Sequence, residues 1–246
     1  MKMSSRLCSA AALVLLIACR KAAPPEAIDQ ALASHVPVSA VALSGVDLDR
    51  LRTSPLYAKL PPAAQAFLSP LAKAQRALIA SDGRGFLVIA RGEITGATRA
   101  AEGIYLFGAP DLLAAAQTGH SPAAILTPAA RVASGPALWI AIRGGVRLPL
   151  SGDLDNFNNL LREVDWLTLT LQPSDPMTLE VRAECPRQDA AVHWEQTVRA
   201  LVSMSAATTR DTQLAAALQT VRLERTERTV RANLTVPAGI IGRFVQ

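Results

Sequence analysis

From Trp166 to Leu171 apolar and polar residues alternate without a break, and Met177 to Glu184 repeats the pattern. A period of two is the spacing of a strand with one buried and one wet face. Pro173-Ser174-Asp175-Pro176 between them reads as a turn, so the spacing predicts a hairpin over 165–184. Val221 to Arg225 with Val230 to Val236 predicts a second hairpin. Ala77 to Ser81 and Phe86 to Arg91 flank Asp82-Gly83-Arg84-Gly85 and predict a third, whose uniformly apolar strands call for cover on both faces. Val38–Ser44 and Ala137–Arg143 read as single strands.

Helical spacing fills the intervals. Leu154, Phe157, Leu160, Leu161 and Val164 share one face of a helix over 153–164, and Ala191, Trp194, Val198, Leu201 and Ser205 share one face of a helix over 188–206. Shorter Ala-rich helices are expected near 55–60, 63–75 with a break at Pro70, 110–118 and 121–132. Ser54-Pro55, Ser69-Pro70, Ser121-Pro122 and Thr127-Pro128 mark starts at which a hydroxyl can cap and proline fits the first turn. Such short helices need a sheet to pack on.

The order strand, helix, hairpin, helix occurs twice, and the chain reads as two degenerate half-repeats. The expected class is α+β, an antiparallel sheet with helices packed on one side. Residues 37–134 form the first half and 135–246 the second, with Ser134-Gly135-Pro136 at the junction.

The first residues follow a different rule. Lys2 and Arg6 supply a basic start, Leu7 to Ile17 an apolar run, and small residues precede Cys19. That layout is a signal peptide, and the run falls well short of the roughly 20 residues a membrane-spanning helix needs. Leu16-Ile17-Ala18-Cys19 resembles the signal of bacterial lipoproteins. The resemblance implies cleavage after residue 18, acylation of Cys19, and recognition through Leu16, Ile17 and Ala18. Several long acyl chains, at about 0.8 kcal/mol per buried methylene, hold a protein on a membrane durably. Arg20 and Lys21 stand where an aspartate would signal inner-membrane retention, which favours the outer membrane. Residues 19–36 then form a lipidated N-terminus and tether, with Ala22-Ala23-Pro24-Pro25 extended.

Composition narrows the rest. Half of the chain is hydrophobic but only 4% is aromatic, so the core is built from Ala, Val, Leu and Ile. The net charge of +5 loses Lys2 and Arg6 with the signal, leaving too little for nucleic-acid binding. Beyond the signal the longest uncharged run, Leu112 to Ala130, is interrupted by Gln117, Gly119, His120, Pro122 and Pro128, which argues against a second membrane span. Removal of Cys8 and acylation of Cys19 leave Cys185 alone, read as a small buried hydrophobe at a strand end.

Over most of its length the mature chain resembles uncharacterised secreted or lipid-anchored bacterial proteins with repeated strand, helix, hairpin and helix halves. The likeness rests on Gly45-Val46-Asp47 and Ser54-Pro55-Leu56-Tyr57 and on the order of elements. It implies no activity.

Candidate chemistry is sparse. Asp153-Leu154-Asp155-Asn156-Phe157-Asn158 invites a calcium-loop reading, but Asn158 stands where the loop needs glycine and Val164 where it needs an acid. A helix N-terminus capped by Asp153 explains it, and no metal or cofactor is expected. His193 and Glu195 are expected to pair at i,i+4 with Asp189 and Arg199 on a solvated helix face. A hydrolase would need His35, His120 or His193 beside a nucleophile or an acid in a cleft. The wet face of the second-half strands carries Glu180, Arg182, Glu184, Arg222, Glu224 and Arg231, three charges of each sign. It is expected to form cross-strand ion pairs and to serve as a candidate interaction face. The function this predicts is a non-catalytic, lipid-anchored extracytoplasmic protein offering a binding surface to a partner in the bacterial envelope. A carrier of a small apolar ligand is the alternative, and a hydrolase stands behind it.

Overall fold

A computed structural model describes residues 28–60, 62–118, 122–148 and 157–237. Its strands are β1 Ala42–Asp47, β2 Arg76–Ser81, β3 Phe86–Arg91, β4 Thr98–Ala101, β5 Ile104–Gly108, β6 Leu138–Arg143, β7 Trp166–Gln172, β8 Met177–Glu184, β9 Arg222–Thr226 and β10 Thr229–Val236. They build one ten-stranded sheet in the order β4-β5-β3-β2-β1-β6-β7-β8-β10-β9. Every ladder is antiparallel. The class is therefore α+β with an antiparallel sheet. All three expected hairpins are present, as β2–β3, β7–β8 and β9–β10.

Read outward from the β1–β6 junction, each strand has a counterpart five places later in chain order. The helices do not follow that symmetry. They are α1 Gln30–Ala33, α2 Leu48–Arg52, α3 Pro62–Leu68, α4 Pro110–Thr118, α5 Leu126–Val132, α6 Phe157–Leu161, α7 Gln188–Thr208 and α8 Thr212–Gln219. In the first half α4 and α5 come after the outer hairpin β4–β5, whereas in the second α7 and α8 come before the outer hairpin β9–β10.

The alternation of the strands sorts the core into two faces. On one face Leu43, Leu78, Ala80, Leu87, Ile89, Leu106, Trp139 and Ala141 pack beneath α1, α4 and α5. On the other, Val46, Ala77, Ile79, Val88, Ala90, Leu171 and Val236 pack against α2 and α8 and the connections beside them. That second layer continues as Leu167, Ala183 and Val230 beneath α6 and α7. The hairpin β2–β3 is thus covered on both faces, as its apolar run requires, while the hairpin β9–β10 carries helices on one face and β7–β8 is in addition overlain by α5 at β7. Each fully buried Leu or Ile here contributes about 1.5–3 kcal/mol through the hydrophobic effect. α7 reaches the sheet through Ala191, Trp194 and Val198, and α6 through Phe157, Leu160 and Leu161, in accord with their spacing.

Several boundaries move. The first strand begins at Ala42 rather than Val38, whose side chain is 57% exposed beyond Pro37. The hairpin β4–β5 lies in a stretch for which the pattern predicts nothing. Residues 28–36, which fall within the expected tether, belong to the fold: Ile28, Leu32 and Val36 are buried, and Asp29 caps α1 by accepting a hydrogen bond from the Ala31 N–H at 3.1 Å. Of the hydroxyl-proline starts, Ser54 accepts a hydrogen bond from the Tyr57 N–H at 3.4 Å. No side-chain cap precedes the turn at Ser69, and α5 opens at Leu126 without one.

Candidate interaction face

Registry decides where the six expected charges fall. Arg231 lies opposite Arg182 on β8 and Glu224 on β9, and Asn233 opposite Glu180 and Arg222. Residues directly opposite one another share a face, and residues two apart along a strand share it too. Glu180, Arg182, Glu184, Arg222, Glu224 and Arg231 therefore all stand on the side of the sheet away from α7. Thr226 and Thr229 flank them at the β9–β10 turn, where Glu227 takes a left-handed φ of 52°.

The charges do not pair as expected. Arg182 donates along its own strand to Glu184, at 3.1 Å, and Glu184 accepts twice from Arg131 of α5, at 3.0 Å to each oxygen. Across the ladder, Arg182 faces Arg231, a like charge. The Arg182 Nε is buried without a hydrogen-bond partner. This arrangement leaves a charged surface only partly neutralised from within. A cleft of about 260 Å³ opens over Arg182, Glu224, Thr226, Glu227, Thr229 and Arg231, and another of about 200 Å³ adjoins it beside Arg131 and Arg228. Arg131 is a member of this face that its own helix gives no reason to expect. Only the folding of α5 over β6 and β7 brings it there.

The remaining candidates are dispersed. His35 Nδ1 lies 3.2 Å from the Ala116 carbonyl oxygen. His193 does not pair with Asp189: its Nδ1 lies 2.9 Å from Glu163 Oε2, and Asp189 accepts from Arg187 at 3.0 Å instead. A contact across to the segment after α6 and a neighbour two residues away displace the i,i+4 pair. The expected Glu195–Arg199 pair is present at 2.8 Å, and Glu195 also accepts from Arg225 at 3.0 Å. Those two guanidinium groups, Arg199 first, hold its carboxyl below the usual range. Cys185 is buried after β8, where desolvation and the nearby Asp165 and Glu163 push its thiol up to about 11.

Asn158 is buried and clasps Leu148, accepting from its N–H at 2.8 Å and donating to its carbonyl at 3.1 Å. His120, the Asp153–Asn156 run and the lipobox residues Leu16, Ile17, Ala18 and Cys19 lie outside the described residues. Among the described residues no group of three or more His, Cys, Asp or Glu side chains is placed to hold a metal ion, and no helix is long and apolar enough to cross a membrane.

No family profile matches the sequence, and no curated protein matches it. Among solved structures, a crystal form of TP0453, form III, superimposes with a TM-score of 0.52 at 8% identity, over 87% of this chain and 96% of that one. Form I of the same protein gives 0.50 at 8% identity, over 92% and 98%. At this identity the likeness is one of fold, and it extends over nearly the whole of both chains.

Proposed function

We propose that this chain is a lipid-anchored extracytoplasmic protein of a bacterial membrane that works without catalysis, presenting the charged face of β8, β10 and β9 to a protein partner in the envelope. The observation that supports the reading is the asymmetry of the second half. One surface of its sheet is covered by α6, α7 and α8, while the other, beyond α5 over β7, carries exposed Arg222, Glu224 and Arg231 beside half-buried Glu180, Arg182 and Glu184. A sheet surface of this kind suits specific, moderate-affinity recognition through charge complementarity. The lipobox resemblance at Leu16–Cys19 supplies the address, with the outer membrane favoured.

In-cell crosslinking followed by affinity purification tests the reading. The wild type is compared with a form in which a cleavable secretory signal replaces residues 1–19, and with a double charge reversal, Arg231→Glu with Glu224→Arg. A protein enriched with the first two and lost from the third is the expected result. Equal enrichment with all three would overturn the assignment of the face. Cys19→Ser tests the anchor: it abolishes acylation and leaves a longer precursor, and normal processing of that variant would overturn the address.

A further inference from the structure

A separate cleft of about 140 Å³ opens where the two halves meet, between α1, the start of β2 and residues 133–136. Leu32, Leu78 and Trp139 give it a buried apolar wall, and Arg50 and Arg76 stand at its exposed rim. Gly45 makes room for the indole: a Cβ there would collide with the ring of Trp139, which lies over the strand at that point.

The charges around this cleft are unequally committed. Asp29 is held by Arg91 through two hydrogen bonds, at 2.6 and 2.9 Å. Asp47 lines the cleft and also caps α2, accepting from the Arg50 N–H at 3.0 Å. Arg50 donates from Nη1 to the Gly135 carbonyl at 2.6 Å. Arg76 stands opposite both Asp47 and Arg91 in the ladders, and its side chain makes no hydrogen bond or ion pair among the described residues. Arg91 neutralises Asp29 without lining the cleft itself, which leaves Arg50 and Arg76 against Asp47 alone and one positive charge in excess, with the Arg76 guanidinium uncommitted.

We propose that this cleft binds a small anion with a flat apolar body, a carboxylate or phosphate carried on a group about the size of a benzene ring. The size follows from the volume, since about 140 Å³ is close to that of a cavity that holds benzene, here in a cleft open to solvent whose apolar wall is Leu32, Leu78 and Trp139. The charge follows from Arg76, whose planar fork suits an oxyanion, and the apolar body lies along Leu32, Leu78 and Trp139. The site lies at the central strands β2, β1 and β6, away from the charged interaction face on β8, β10 and β9, and is independent of it.

Calorimetric titration of the full-length protein in detergent tests the inference with four probes. Benzoate and phenyl phosphate carry both features, acetate lacks the apolar body, and benzyl alcohol lacks the charge. Saturable binding of the first two, with the last two weaker by about tenfold or more, is expected. Arg76→Gln weakens benzoate by about tenfold or more, while Arg84→Gln, which removes an equal charge from the exposed 82–85 turn, leaves it unchanged. No saturable binding of benzoate and phenyl phosphate would overturn the proposal. So would benzyl alcohol or acetate binding as tightly as benzoate, or equal affinities of Arg76→Gln and the wild type. The probe series on the unaltered chain decides the matter even if Arg76→Gln fails to fold.

Discussion

Asp29, just ahead of α1, accepts two hydrogen bonds from Arg91 at the end of β3, Nε to Oδ2 at 2.6 Å and Nη2 to Oδ1 at 2.9 Å. The two residues are 62 positions apart, and Asp29 also caps α1, so one carboxylate both starts a helix and fastens it to the sheet.

That double role makes Asp29→Asn costly. The variant keeps the cap but loses the charge-assisted fork, and about 1–2 kcal/mol of unfolding free energy is expected to go with it. Chemical denaturation of the two forms at neutral pH measures the difference, and an unchanged midpoint would contradict the assignment.

The same pair sets a pH dependence. Arg91, first by hydrogen bonding and then by charge, holds the Asp29 carboxyl below the usual carboxylate range in the folded protein. A group with a depressed folded-state pKa contributes stability that is complete above its unfolded pKa and drains away as pH falls through the folded one. The stability gap between wild type and Asp29→Asn therefore narrows as the pH drops from neutral to about 3. A gap that widened instead would reverse the sign of the coupling.

Gly45→Ala places a methyl group inside the Trp139 indole. The ring cannot yield cheaply, being 95% shielded beneath α1 and α5, and a loss of about 2–3 kcal/mol is expected. Trp139→Leu on its own is also destabilising, but the double variant is expected to lose less than the two single losses together. Strict additivity in thermal or chemical unfolding would show that the two side chains do not share the space.

Cys185 is expected to be inert. With its thiol pushed up to about 11 and its side chain buried, the folded, processed chain does not react with a thiol reagent at neutral pH and reacts fully in denaturant. Rapid labelling of the native protein would contradict the burial.

Glu184→Ala separates stability from recognition on the charged face. Its bonds to Arg131 and Arg182 are partly solvated, and such pairs are worth about 0–1 kcal/mol, so the unfolding midpoint changes little. Capture of the proposed envelope partner, in contrast, is expected to fall sharply because two guanidinium groups are released into the surface. A large stability loss with undiminished capture would make Glu184 a structural residue only.

The hairpins were readable because alternation is local: Leu167, Leu169 and Leu171 announce their face without help from the rest of the chain. The hairpin β4–β5 was not. Thr98-Arg99-Ala100-Ala101 is poor in strand formers, and β5 is short, although Ile104 and Leu106 do alternate with Tyr105 and Phe107 about the turn at Gly103. α1 carries no local signal because its four residues follow a proline-rich stretch and are held by Arg91, far away in sequence, and by the packing of Leu32 and Ala33 on the sheet. The charged face was legible as six alternating residues, whereas the juxtaposition of Arg182 with Arg231, the reach of Arg131 and the cleft at Arg76 depend on register and on packing between distant elements. No local pattern encodes those.

Strand order also decides how firmly each strand is held. The chain enters through α1 and passes directly into β1, which is laddered on one side to β2 and on the other to β6, at the centre of the sheet. Freeing β1 from the sheet would require breaking the Asp29–Arg91 fork ahead of it and two ladders beside it, whereas the edge strand β9 is held by one. β8, β10 and β9 stand three, four and five ladders from β1, so the charged surface is set well apart from the strand that the first turn feeds.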